Sequence, residues 1–254
     1  MDRLSLWIFI FVFLGGILSV SVAALYLTLP EATRSKTVDY LVSLAIGILL
    51  GTSFSHLIPE ALAGDGANSH LIMAALLFSI LLFFILEKTL LWRHHHPTTV
   101  EEHKLNGEID ASAPIILFGD SVHNFVDGIL IASTFMVDFS LGVVTALAVV
   151  AHEIPQELGD FAILIKAGLT RRRAFLFNVF SSFSMFLGAV VALTLETVIQ
   201  EYQPYLLAIA AGSFIYVAMS DLIPAIDNEI EAKELILRVL LVAVGMIVFS
   251  LHHH

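Results

Sequence analysis

Two short runs in this chain gather residue types that bind cations. Residues 123–128 read His-Asn-Phe-Val-Asp-Gly and residues 152–160 read His-Glu-Ile-Pro-Gln-Glu-Leu-Gly-Asp. Imidazole nitrogen, carboxylate oxygen and amide oxygen together make a donor set for a divalent metal ion, and a chain without cysteine has no thiolate to compete for that role. Spacing adds to type. Asp120, His123, Asn124 and Asp127 fall at i, i+3, i+4 and i+7, so on a helix all four project from one face with His123 stacked over Asp127. His152, Glu153, Gln156, Glu157 and Asp160 make a second polar face, with His152 and Gln156 one turn apart. Pro155 inside that run removes a backbone hydrogen bond and frees the carbonyl of Ala151, which predicts a broken helix beside the ligands.

Both runs lie mid-way along apolar stretches. The 254 residues are 58% hydrophobic and 14% charged, with a mean hydropathy of +0.91; a soluble globule could carry this only by exposing large apolar patches. The composition therefore predicts an integral membrane protein. In a membrane the unit to count is a segment of about 20 apolar residues, and eight are predicted, at 4–29, 38–58, 71–92, 114–136, 139–165, 174–199, 204–224 and 235–251. The fold class expected is all-α, a single polytopic transmembrane domain over 1–254 with a His-containing loop at 93–112. The first segment is read as a helix rather than a signal peptide, because its apolar run is too long and its start carries one Asp and one Arg instead of a basic cluster. A charge at the bilayer centre costs about 2.5–3.5 kcal/mol, so the two polar runs should face the bundle interior and mark an ion path.

Orientation follows from the basic residues. Arg34 and Lys36, Lys88, Arg93 and Lys104, Lys166 with Arg171–Arg173, and Lys233 with Arg238 belong to alternate loops or the helix ends beside them, with Arg3 on the other side. That bias predicts those loops in the cytoplasm and both termini outside. Glu60, Asp65, Asp138, Glu196 and Glu201 on the opposite face concentrate cations modestly. A net charge of -11 argues against a nucleic-acid partner. An internal repeat adds a transporter signature: Ser55-His56-Leu57-Ile58-Pro59 recurs as Ser220-Asp221-Leu222-Ile223-Pro224, and Ala45-Ile46-Gly47 meets Ala210-Ala211-Gly212 at the same offset. With the second helix running outward and the seventh inward, this is the pattern of an inverted repeat, and it predicts a 3+2+3 arrangement with alternating access.

Blander readings fit some residues. His56 alone is best read as a hydrogen-bonded packing residue, and Ser181, Ser182 and Ser184 as helix-packing glue. A competing class is an intramembrane zinc hydrolase built on His-Glu-x-x-His; residues 152–156 fall one substitution short of it, with Gln156 at the second His position. A non-transporting metal sensor is a further alternative. The expected function is divalent metal transport rather than enzymatic catalysis, with no catalytic cofactor.

The helix-four and helix-five runs together resemble the ZIP (Zrt-, Irt-like) family of zinc and iron transporters, over essentially the whole chain. The helix-five run is similar to the extended His-Glu-x-Pro-His-Glu-x-Gly-Asp signature of one large subgroup. His123, Asn124 and Asp127 match the helix-four pattern, and His152, Glu153, Pro155, Glu157, Gly159 and Asp160 match helix five. Gln156 departs from it: family members place His or Glu there, and an amide oxygen is a weaker, harder donor. The resemblance implies a binuclear centre between helices four and five. One site would use His123, Asp127, His152 and Gln156, the other Asn124, Asp127, Glu153 and Gln156, with Asp127 bridging; Glu157 is counted among the metal residues as well. It implies zinc uptake into the cytoplasm, with iron(II), manganese and cadmium as other ions such N/O donors suit, and a homodimer in the lipid bilayer. His94, His95, His96 and His103 resemble the family's cytoplasmic His-rich loop, while His252–His254 are assigned no function. A bacterial-type inner (plasma) membrane is the expected location.

Overall fold

The structure is a computed structural model and describes residues 3–63, 68–92, 112–225 and 232–250. Every regular element in it is helical. A chain this apolar has no water for its backbone in lipid, so each span must satisfy its own N–H and C=O groups, which a helix does.

Among the described residues eight long helical segments follow one another. They are α1 (Arg3–Tyr26), α2 (Glu31–Thr52, running on through Ser53–Leu57 into Ile58–Ala63), α3 (Ser69–Trp92), α4 (Ser112–Val137), α5 (Phe139–Lys166), α6 (Arg171–Thr194), α7 (Gln203–Tyr216, running on through Val217–Leu222 into Ile223–Ala225) and α8 (Ala232–Ser250). Six of them, α1, α2, α3, α5, α6 and α7, are long and apolar enough to cross a membrane by length and composition. The other two are the most polar at sensitive places: α4 carries Asp120, His123, Asn124 and Asp127, and α8 begins with Lys233, Glu234 and Arg238. Large apolar side chains such as Leu77, Phe118 and Phe180 point outward, as they do on a lipid-facing surface.

Local signals set the ends. Asp138 caps α5 by accepting from the Leu141 N–H at 3.0 Å, and Thr170 caps α6 by accepting from Arg173 N–H. Between them Gly168 takes a φ of 97°, which L side chains rarely adopt. Its N–H donates to Ile165 and that of Leu169 to Leu164, the paired bonds of a glycine C-cap. The sixth segment is shorter than predicted: α6 stops at Thr194, and Glu196–Glu201 is a separate turn of helix.

Proline acts differently in three helices. α5 runs through Pro155 without interruption, so the predicted break is not there. One lost hydrogen bond is a cost that a 28-residue helix packed on several neighbours can carry. In α2 and α7 the turns before Pro59 and Pro224 widen into π-helix, over Ser53–Leu57 and Val217–Leu222. Each proline ring crowds the carbonyl four residues back, at Ser55 and Ser220, and a π turn relieves that crowding. Both halves of the sequence repeat therefore carry the same distortion at the same register.

The helices pack in two groups. α4 lies on α6 and α5, and α1 on α5 and α6; α2 lies on α8, and α3 on α7, with α2 also meeting α7. Glycines set the closest approaches. A Cβ on Gly128 would meet the Met185 carbonyl of α6 at 1.9 Å, and one on Gly188 would meet the Phe125 carbonyl of α4 at 2.0 Å. Gly47 of α2 lets α8 approach in the same way. An ion pair between Arg238 and Asp39, 2.5 Å long, adds to the α2–α8 contact. The two groups meet mainly where α2 faces α5, with smaller contacts of α4 on α7 and α3. The two helices that carry the polar runs, α4 and α5, are thus packed with α1 and α6.

Candidate metal centre

The i, i+3, i+4, i+7 spacing holds in α4, and its polar face turns inward onto that of α5. Asp120, Asn124, Asp127, His152, Glu153 and Glu157 are all buried. His123 keeps 13% of its side chain exposed, more than its partners, which makes it the opening of the cluster. Its Nε2 lies 3.2 Å from His152 Nε2, 3.7 Å from Asp127 Oδ2 and 3.9 Å from Glu153 Oε1. His152 Nε2 lies 3.2 Å from Asp127 Oδ2 and 3.8 Å from Glu153 Oε1. Ligands about 2.0–2.1 Å from a tetrahedral zinc stand about 3.3–3.4 Å apart. The five separations lie within about half an ångström of that edge, so these four side chains can hold one ion.

The tautomer of His152 is fixed from behind. Its Nδ1 is 3.1 Å from the Ala148 carbonyl, which can only accept, so Nδ1 carries the proton and Nε2 turns its lone pair to the cluster. The second helix group supplies the walls. Phe83 of α3 meets the His123 ring edge-on with centroids 6.1 Å apart, and Phe214 of α7 lies 5.7 Å from the His152 ring. The centre therefore sits on α4 and α5 but is closed by α3 and α7.

A second set of carboxylates lies beside the first. Oxygens of Asp120, Glu153 and Glu157 fall within 4.8 Å of one another, and Glu153 belongs to both sets. Asn124 Nδ2 donates to Asp120 Oδ1 at 2.9 Å, Ser181 donates to Asp120 Oδ2, and Ser182 donates to Glu157 Oε1 at 3.0 Å. Gln156 lies against Asp120, and Asn178 of α6 against Glu157. Both Glu153 oxygens, Glu157 Oε2 and Asn124 Oδ1 are buried with no hydrogen-bond partner among the described residues. A buried carboxylate without donors costs several kcal/mol unless a cation accompanies it, so this donor set fits a divalent ion.

All seven sequence-predicted metal residues lie on these two facing surfaces. His123, Asp127, His152 and Glu153 form one group, Glu153 and Glu157 join the other, Asn124 bonds Asp120, and Gln156 reaches Asp120. Asp120 was legible as part of the helix face but not as a member of a cluster, and Asn178 carried no signal. Ser181 and Ser182 read as packing glue but hold carboxylates. His56 is elsewhere, its Nε2 bonded to the Phe249 carbonyl across the α2–α8 contact. His94, His95, His96, His103 and His252–His254 lie outside the described residues.

Apolar helices long enough to span a bilayer, with a buried His/Asp/Glu cluster between two helix groups, describe a polytopic integral membrane protein able to hold a divalent cation within the membrane. The profile of the family described as ZIP Zinc transporter matches residues 3–114 and 98–253, and the chain belongs to that family. Zinc transporter ZIP4 of Rattus norvegicus is 44% identical over 125 residues, which are 49% of this chain and 19% of the rat protein. Zinc transporter ZIP10 of Homo sapiens is 36% identical over 120 residues, 45% of this chain and 14% of that protein. Zinc transporter ZIP13 of Pongo abelii is 29% identical over 270 residues, 98% of this chain and 79% of its own length. The matched part of this chain thus spans less than a fifth of the length of the ZIP4 and ZIP10 relatives.

Proposed function

We propose that this chain carries a divalent metal ion, zinc foremost, across a membrane into the cytoplasm through a binuclear centre on α4 and α5. The observation that carries the reading is the convergence of two imidazole Nε2 atoms with Asp127 and Glu153 at the seam between two helix groups. In this reading His123, Asp127, His152 and Gln156 take one ion, Asn124, Asp127, Glu153 and Gln156 take the second, and Asp127 bridges. Glu157 stands one turn further along α5. Two imidazoles favour zinc over manganese, which harder, oxygen-rich sites suit, while iron(II) and cadmium are further ions that this donor set accepts.

The reading includes alternating access. α4 is tied to α6 by glycine contacts and α1 packs on α5, so α1, α4, α5 and α6 move together, carrying the ions past α2, α3, α7 and α8. Matching π turns before Pro59 and Pro224 support the inverted repeat that such a motion uses. Termini outside, a homodimer and a bacterial-type inner (plasma) membrane belong to the proposal too. The first rests on the Lys/Arg bias and the second on the family resemblance. The relatives named above are mammalian, and cell fractionation tests the third. A hydrolase reading needs His-Glu-x-x-His, and Gln156 stands at its second His.

Proteoliposome uptake tests the proposal. Wild-type protein should accumulate zinc, and Asp127→Ala should abolish uptake, because each ion loses the carboxylate they share. Uptake by Asp127→Ala at the wild-type rate would remove this centre from the path.

A further inference from the structure

We propose that Asp120, Glu157 and Asn178 form a second, all-oxygen cation station, one turn nearer the cytoplasm, which receives the ion from the histidine-bearing cluster through Glu153. The inference rests on the transport reading above. Asp120 precedes His123 by one turn on α4, and Glu157 follows Glu153 by one turn on α5. Both displacements run toward the α4 end at Ser112 and the α5 end beside Arg171–Arg173, the side that the charge bias assigns to the cytoplasm.

The station is built rather than merely acidic. Ser181 and Ser182 of α6 each hold one oxygen of one carboxylate, at Asp120 Oδ2 and Glu157 Oε1, and so fix how the pair presents itself. Glu157 Oε2 remains without a donor. A neutral side chain from the third helix points independently to a ligand: Asn178 is fully buried beside the Glu157 carboxylate, and both its Oδ1 and its Nδ2 lack a hydrogen-bond partner among the described residues. An amide oxygen left unsatisfied beside a carboxylate gains most from a shared cation.

Continuity and grading follow from the geometry. Glu153 has oxygen within reach of both sets, so an ion leaving the imidazoles exchanges one carboxylate for the next without crossing an apolar gap. The inner set holds no nitrogen. Oxygen donors bind zinc less tightly than imidazole does, and a weaker inner site favours release over retention. α6 supplies Asn178 and the two serines that hold the carboxylates, and packs on α4 through Gly128 and Gly188, so the station travels with the outer cluster.

The test removes the binuclear centre first. Protein carrying His123→Ala, His152→Ala and Asp127→Ala, which together remove both sites of the binuclear centre, is titrated in lipid nanodiscs with Mn²⁺ and the free ion is read by its paramagnetic resonance signal. One bound ion should remain. Adding Glu157→Gln, nearly isosteric and still able to accept from Ser182, should weaken it about 10- to 100-fold. Asn178→Leu should do the same and Asn178→Asp should retain it. If Asn178→Leu does not give monodisperse helical protein, Glu157→Gln decides alone. No residual ion in folded triple-variant protein, or residual affinity unmoved by Glu157→Gln, overturns the station. Failure of the transport reading looks different: wild-type liposomes without zinc uptake, or Asp127→Ala at full rate, whatever the titration gives.

Discussion

His152 and Gln156 sit one turn apart on α5 and show what a single side chain decides. His152 is locked: the Ala148 carbonyl holds its Nδ1 and the ring lies against Phe214, so its Nε2 is pre-oriented and loses little freedom on taking an ion. Gln156 is the one departure from the helix-five signature and lies against Asp120, at the join between the two carboxylate sets. Its amide oxygen is the weakest donor on that face. Gln156→His should therefore bind zinc about tenfold tighter, a gain of about 1.4 kcal/mol, and turn over more slowly because release becomes harder. Calorimetry on purified protein reads the first effect and liposome flux the second. Unchanged zinc affinity would put position 156 outside the ion's ligand shell.

At the scale of elements, much of the architecture was legible because lipid-facing helices announce themselves by composition alone. The described residues are all-helical as expected, six of the eight segments are long and apolar enough to cross a membrane, and the polar residues of α4 share one face. The misses share a cause. The unbroken α5 at Pro155 and the role of Ser181 and Ser182 depend on neighbours far away in the chain. Ser181 meets Asp120 across 61 positions and Ser182 meets Glu157 across 25, separations that no local pattern encodes. The α4–α6 contact tests how far packing supports the centre. At Gly188 an added Cβ would sit 2.0 Å from the Phe125 carbonyl, and backbone there cannot yield as a side-chain tip would. Gly188→Ala should destabilise the protein by about 1–3 kcal/mol or more. Gly159→Ala, with nothing within 4 Å of the new atom, should be neutral or stabilising by up to about 1 kcal/mol in a helix interior. Thermal unfolding in detergent reads both, and equal melting of the two variants would show that the α4–α6 approach is not tight.

For the whole molecule the question is which helices travel together. The proposed ion sites lie on α4 and α5, their walls come from α3 and α7, and glycine contacts bind α4 to α6. In the alternating-access reading proposed above, α1, α4, α5 and α6 shift as one body against α2, α3, α7 and α8. A ligand that binds the two arrangements unequally must change their populations. Because the chain has no cysteine, pairs of spin labels can be placed without background. Leu187 on α6 and Leu77 on α3 are exposed and belong to different groups, while Leu187 and Phe13 on α1 are exposed and belong to the same one. Double electron–electron resonance on the Leu77→Cys/Leu187→Cys pair should show a distance distribution that zinc redistributes. The Phe13→Cys/Leu187→Cys pair should give one distance, the same with zinc and without. If zinc moves the second pair as much as the first, α1 and α6 do not form one body. If it moves neither, in protein shown by calorimetry to bind the ion, transport proceeds through a fixed path rather than by exchange between two arrangements.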